Sequence, residues 1–314
     1  MQAFAQGISH SPIIGYFDPP QAVMDEIHAA LAAARRRLAD YDPELIIIFM
    51  PDHLNGFFYD LMPCFCLCMQ ARCIGDYETP EGELPIPQDV ALECASFVVD
   101  HGIDLAVSYR MDVDHGIAQP LEQLFGGIDR VPIIPIFING ITHPLPTFRR
   151  ARKLGAAVGR FARMLGRRTL FIGTGGLSHE PPIPRMETAQ DPAVREFLLG
   201  GGRGMAGAAR EARSQRIIDG ARRFFEDPQS LHPLNPLWDQ NYLNLLEQRS
   251  FRELDRLSNA EVTRVAGGST HESKVWLAAF AALAEFGAYE VQERYYRAIN
   301  EWIIGYGMMT ASTR

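Results

Sequence analysis

The sequence predicts an α/β protein with a central, largely buried β-sheet flanked by helices and a mostly helical C-terminal third. Three observations carry that expectation. The apolar runs "LIIIFM" (45–50), "IDLAVSY" (103–109), "VPIIPIFI" (131–138) and "TLFIG" (169–173) are short, continuous and β-branched, as strands covered on both faces are. Stretches of helical period alternate with them. Beyond "LLGGGRGMAG" (198–207), a glycine-rich stretch expected to be a mobile loop, helical patterning dominates through 209–227, 239–248 and 272–286.

Taken in order, a short strand-like run "AFAQGI" opens the chain. Over 20–38, Val23, Ile27, Leu31 and Leu38 recur at helical spacing, and Arg35, Arg36 and Arg37 fall mostly off that stripe. Alternation in "CFCLC" puts Cys64, Cys66 and Cys68 on one face if that stretch is a strand. A helix over 88–101 should stop at Gly102, and another over 146–165 at Gly166, since glycine relieves the left-handed residue that ends a helix. The aromatic stretch "ERYYRAINEWIIGYGMM" suits core packing, a cover over a site or a subunit contact. With no internal repeat and no low-complexity linker, residues 1–314 are expected to form one elaborated domain.

Composition narrows the function. A hydrophobic fraction of 47% and a charged fraction of 22% are those of a water-soluble globular chain, and a net charge of -8 argues against nucleic acid or an anionic membrane as partner. No apolar run has membrane-spanning length, and the N-terminus lacks the form of a signal peptide. The five cysteines include no CxxC pair and read as buried small hydrophobes in a reducing cytoplasm, not as a disulfide framework.

The stretch "LFIGTGGLSHEPP" (170–182) approaches a dinucleotide fingerprint, with Gly173 and Gly175 following a strand-like run. That fingerprint needs a helix directly behind it to present amide N–H groups to a pyrophosphate. Here Pro181, Pro182 and Pro184 follow, which deny the backbone donors and disfavour the helical region before each of them. The glycines are expected instead to allow a tight turn that lets a ligand approach His179.

Four histidines share a setting: His10 in "GISHSP", His53 in "MPDHLNG", His115 in "DVDHG" and His179 in "GLSHE". Each sits after an apolar run or in a short turn, behind a small or acidic residue, where ligands of α/β sheets gather. The other five look ordinary: His28 and His101 on helices, His143 and His232 before prolines, and His271 at a helix start. Two imidazoles and one carboxylate form a facial triad suited to ferrous iron. Glu272 in "GGSTHESKVW" is the candidate carboxylate, because it shares a helix face with Trp276, Phe280 and Leu283. Ser269-x-x-Glu272 also has the form of a capping box, and spacing leaves both readings open.

The stretches "SHSPIIGYFDP", "PDHLNGFFYD", "GELPIP", "AVSYRMDVDHGIAQPLE", "PIFINGITHPLP", "GTGGLSHEPP", "LHPLNPLWD" and "THESKVWLAAFAAL" run in order along essentially the whole chain. Together they resemble the class III extradiol ring-cleaving dioxygenases, nearest to those acting on 3-(2,3-dihydroxyphenyl)propionate or 2,3-dihydroxycinnamate. The resemblance implies that His10, His53 and Glu272 hold Fe(II), that His115 is a proton donor and that His179 is a proton acceptor. It further implies a catechol and O2 as substrates, a 2-hydroxy-6-oxo-dienedioate as product, and a homo-oligomer. Enzymes of this type also cleave protocatechuate, gallate or DOPA, and the same His/Glu set would suit a zinc hydrolase.

Overall fold

The computed structural model describes residues 2–314. The chain enters through β1 (Phe4–Ile8), crosses over α1 (Gln21–Tyr41) and returns as β2 (Leu45–Met50). β3 (Phe65–Cys68), β4 (Ala71–Ile74) and β5 (Glu81–Glu83) follow, then α2 (Gln88–Asp100), β6 (Ala106–Ser108) and β7 (Met111–Val113). Next come α3 (His115–Phe125), β8 (Ile133–Ile138), α4 (Phe148–Leu165) and β9 (Thr169–Thr174). A helical stretch comprises α5 (Pro192–Glu196), α6 (Gly207–Glu226), α7 (Pro236–Glu247), α8 (Phe251–Leu254), α9 (Asn259–Ala266) and α10 (Ser273–Ala284). The chain closes with β10 (Tyr289–Ile299) and β11 (Ile304–Thr313).

Eight strands form the central sheet in the order β10-β11-β1-β9-β2-β8-β3-β6, and β5-β4-β7 form a small second sheet. β1, β9, β2 and β8 run parallel, so their carboxyl ends open on the same side. Every residue of β2, β8 and β9 is buried, as strands covered on both faces require. On one face Ile47, Phe171 and Ile136 pack with α4 and α10 residues such as Leu154, Trp276 and Phe280. On the other, Ile46, Ile48 and Leu170 meet Ile27 and Leu31 of α1 and Ile117 and Leu121 of α3. Gly166 ends α4 in the left-handed conformation, and α2 ends at the predicted place, with Gly102 also left-handed just beyond it. Among the described residues, no helix is long and apolar enough to cross a membrane.

Some elements depart from their sequence patterns. Of "IDLAVSY" only Ala106–Ser108 pairs, as an edge strand against β3, and Val107 stays exposed. The aromatic C-terminal stretch is a strand pair: β11 lies antiparallel to β1, and all ten of its residues are buried although its pattern, IGYGMMTAST, carries little strand signal. The glycine-rich segment begins in a helical turn, Phe197–Gly201, whose Leu198 is buried with Leu54 and Phe58. α3 was hidden from the sequence by Pro120 inside it; its start is set by Asp114, whose side chain accepts from the Gly116 N–H.

α10 carries Glu272 at its entrance and is held in place by backbone-to-backbone contact with α4. A Cβ on Gly155 would lie 2.1 Å from the Ala278 carbonyl oxygen, and one on Gly159 would lie 2.3 Å from that of Ala282. Gly155→Ala should therefore force the two helices apart, at a cost of about 1–3 kcal/mol by analogy with overpacked cores. Chemical denaturation measures this; an unchanged midpoint would show that the helices have room to spare.

Candidate metal and acid–base site

Three adjacent parallel strands deliver three of the four singled-out histidines. His10 follows β1, His53 follows β2 and His179 follows β9, all at carboxyl ends. His115 is the first residue of α3, and Glu272 lies in the short turn Thr270–Glu272 that leads into α10. All five line one cavity of about 830 Å³. The Glu272 carboxylate lies 3.9 Å from His10 Nε2, 3.4 Å from His53 Nε2 and 3.2 Å from His179 Nε2. His115 stacks on His53 with ring centroids 4.6 Å apart and planes 20° apart.

Each ring is held by its other nitrogen. Thr174 Oγ1 donates its one hydrogen to the Gly116 carbonyl at 2.9 Å, so at 2.8 Å it must accept from His10 Nδ1–H. That leaves a lone pair on His10 Nε2. His53 Nδ1 faces the Asp114 carboxylate at 3.1 Å, and His115 Nδ1 faces that of Asp76 at 2.6 Å. His179 Nδ1 donates to the Leu177 carbonyl at 2.8 Å. Asp114 also accepts from the His53 backbone N–H and from Asn55 Nδ2, and Asp76 accepts the His115 backbone N–H. Histidines backed in this way by carboxylates or carbonyls present a fixed tautomer to a metal or a reacting proton.

The charges are tightly coupled. Burial pushes the His10 ring down to about 3, against the pull of Glu272. Burial acts on His53 and His179 as well, but Asp114 and Glu272 outweigh it at His53, and Glu272 outweighs it at His179, so both are raised. Burial would raise Glu272, yet His179 and His53 hold it well below the usual carboxylate range. An ionised carboxylate is thus kept out of water among imidazoles, which is the setting that receives a cation. His10, His53 and His115 can bring their ligand nitrogens within 4.8 Å of one another, so the site can hold a metal ion. The donor chemistry fits: His10 Nε2 carries a lone pair, Glu272 is ionised, and an incoming cation would displace the proton that Asp114 and Glu272 hold on His53.

The match to known proteins spans nearly everything described so far. The family model for the catalytic LigB subunit of aromatic ring-opening dioxygenase matches residues 4–308. The chain belongs to the LigB family. A Klebsiella pneumoniae protein named 2,3-dihydroxyphenylpropionate/2,3-dihydroxicinnamic acid 1,2-dioxygenase is 54% identical over 100% of this chain and 99% of its own length. An Escherichia coli K12 relative of the same name is 53% identical with the same coverage.

In this LigB-family chain two sequence expectations change their reason. The capping box does not form: Ser269 Oγ has no partner, and the Glu272 carboxylate turns to the histidines and to the Gly176 N–H at 2.9 Å. Gly173, Gly175 and Gly176 do not adopt left-handed turns. Their lack of a side chain makes room instead, since a Cβ would lie 2.6 Å from Val275 O, 2.8 Å from Glu272 Cβ and 2.6 Å from His179 Cε1, respectively. His271 points elsewhere and is fully buried between Thr263 and Lys274. Asp76, Asp114 and Thr174 escaped the sequence reading as partners of the site. Asp114 directly precedes His115 in the chain but serves His53, and Asp76 gives no signal because it lies 39 residues from His115.

Asp114→Asn should loosen the His53 ring and weaken metal binding about 10- to 100-fold, the usual cost of losing a carboxylate behind a ligating histidine. Metal titration of the apoprotein followed by calorimetry checks this; wild-type affinity would remove Asp114 from the site.

Proposed function

We propose that this chain catalyses Fe(II)-dependent extradiol cleavage of 3-(2,3-dihydroxyphenyl)propionate or 2,3-dihydroxycinnamate with O2, giving a 2-hydroxy-6-oxo-dienedioate. The observation that carries this reading is the convergence of His10, His53, His115, His179 and Glu272 on one cavity. The names of the relatives, which match over the full chain, supply the substrate class. Assembly as a homo-oligomer and residence in the cytoplasm belong to the same proposal.

In this reading His10, His53 and Glu272 hold the iron. His115 is the other candidate third ligand, since its nitrogen lies within 4.8 Å of those of His10 and His53, but its stacking on the His53 ring favours Glu272. When bound, Fe(II) supplies open positions at which both catechol oxygens and O2 can be brought side by side. The residues do the rest. His179, anchored through Nδ1–H on the Leu177 carbonyl, would receive a catechol proton at Nε2 as substrate binds, because a cation held by Glu272 would cancel the charge that otherwise raises this ring and keeps Nε2 protonated. His115 is oriented by Asp76, and its Nε2 is buried with no partner, as suits a group that hands a proton to the departing oxygen. Tyr77 packs edge-on against His115, with ring centroids 5.0 Å apart, and limits its rotation.

Oxygen uptake with 3-(2,3-dihydroxyphenyl)propionate, after anaerobic reconstitution with ascorbate and Fe(II), tests the reaction. Uptake with a yellow product is expected, and none when Zn(II) replaces iron; no uptake with any catechol from iron-loaded protein would overturn the reading and favour a hydrolase. Iron analysis beside turnover tests the roles. His10→Ala, His53→Ala and Glu272→Gln should lose iron. His115→Gln and His179→Gln should keep it and lose about 10²- to 10⁴-fold in kcat, the range for a missing acid or base. An iron-replete, active Glu272→Gln would move the third ligand to His115.

A further inference from the structure

The cavity holds a set of charges that neither metal binding nor proton transfer uses. α6 places Arg210, Arg213 and Arg216 on its wall at intervals of three residues. Among the described residues none of the three is ion-paired. Arg213 donates to the carbonyls of His53 and Leu54 and to Asn55 Oδ1, Arg210 donates to the Ile74 carbonyl, and Arg216 has no protein partner. These oxygens are neutral, so they hold a guanidinium in place without cancelling its charge. Arginines in neighbouring segments are neutralised, Arg203 by Asp60 and Arg185 by Glu180.

The carboxylates that line the same cavity are already engaged, Asp76 by His115 and Glu272 by His53 and His179. Three uncompensated positive charges therefore share one cavity in a chain whose net charge is -8. Such a local field draws an anion that the protein as a whole would repel. Ile183, Val194, Phe197 and Ile217 supply apolar wall in the same cavity, which suits a short hydrocarbon tether.

We infer that Arg210, Arg213 and Arg216 form a cationic subsite that takes the side-chain carboxylate of the substrate and so selects aromatic acids over uncharged catechols. This rests on the catechol-cleaving reading above for the aromatic end of the ligand. Arg213, braced by three neutral oxygens, is the preorganised member. Arg216, free of protein bonds, can close on the anion as a planar fork.

The experiment has two arms. In the first, 3-phenylpropionate and 3-phenylpropan-1-ol are titrated calorimetrically into metal-free protein, wild type and the variants Arg213→Gln, Arg213→Lys and Arg210→Gln/Arg216→Gln. In the second, kcat/KM is measured on iron-loaded protein for 3-(2,3-dihydroxyphenyl)propionate and for 3-propylcatechol. The expected result is a fall of about 10- to 100-fold in the acid-to-neutral ratio, carried by KM, as befits a lost charged hydrogen bond. Arg213→Lys should recover part of it. The double variant makes the same test if Arg213→Gln does not fold, because it leaves the Arg213 contacts to the 53–55 segment intact. Unchanged ratios in every folded variant, with wild-type binding of 3-phenylpropionate, would overturn the inference. Protein that cleaves neither catechol yet binds 3-phenylpropionate through these arginines would uphold the subsite and overturn the reaction.

Discussion

Glu272 is an ionised carboxylate taken out of water at the junction of the sheet and α10, and the rest of the site is arranged around that charge. An isolated carboxylate so placed would lose its proton only at great cost. Here His53 and His179 stand within 3.4 and 3.2 Å of it and the Gly176 N–H donates to it at 2.9 Å, so the charged form wins. The same cluster explains why His53 and His179 are raised while His10, whose Nε2 lies farther from Glu272, is left to the effect of burial.

That arrangement depends on packing far from any titrating group. α10 can bring Glu272 against the end of β9 only because Gly173 and Gly175 offer no side chain, and because Gly155 and Gly159 let α4 support the helix from behind. Trp276, one turn into α10, covers Gly7 of β1 and donates its indole N–H to the Gly175 carbonyl at 2.9 Å. Strand, loop and helix are thus locked where the carboxylate must sit. Small residues in this sheet serve close approach, and the charge cluster inherits its precision from apolar contacts.

The polar supports come to the histidines from different parts of the fold. Asp114 caps α3 and holds both the backbone and the ring of His53, so one carboxylate ties a helix start to a strand end. Asp76 does the corresponding work for His115 from the turn after β4, in the small second sheet. Facing His53 and His115 therefore have independent supports, so each ring is oriented separately. α6 adds the arginines, the one strongly positive lining in a cavity whose other charged groups are carboxylates and imidazoles.

Much of this was legible in one dimension. Runs such as "LIIIFM" and "TLFIG" announce covered strands because burial on both faces leaves no alternation, and the histidines after them mark the strand ends. The β10–β11 pair was not legible, since its burial comes from pairing with β1 and not from its own pattern. The order of motifs also carried the family, because side chains that do chemistry cannot be exchanged without changing it. What remained for the tertiary structure were relations between distant residues. Spacing left Glu272 divided between a helix cap and an inward carboxylate; only the approach of α10 to the end of β9 turned it toward the histidines. Likewise the pairing of Asp76 with His115, Asp114 with His53 and Thr174 with His10 joins positions 39, 61 and 164 residues apart. The sequence by itself determined the strand runs, the histidine settings and the family. Partner choice was decided by the fold, because a hydrogen bond depends on proximity in space, which residue spacing along a chain does not contain.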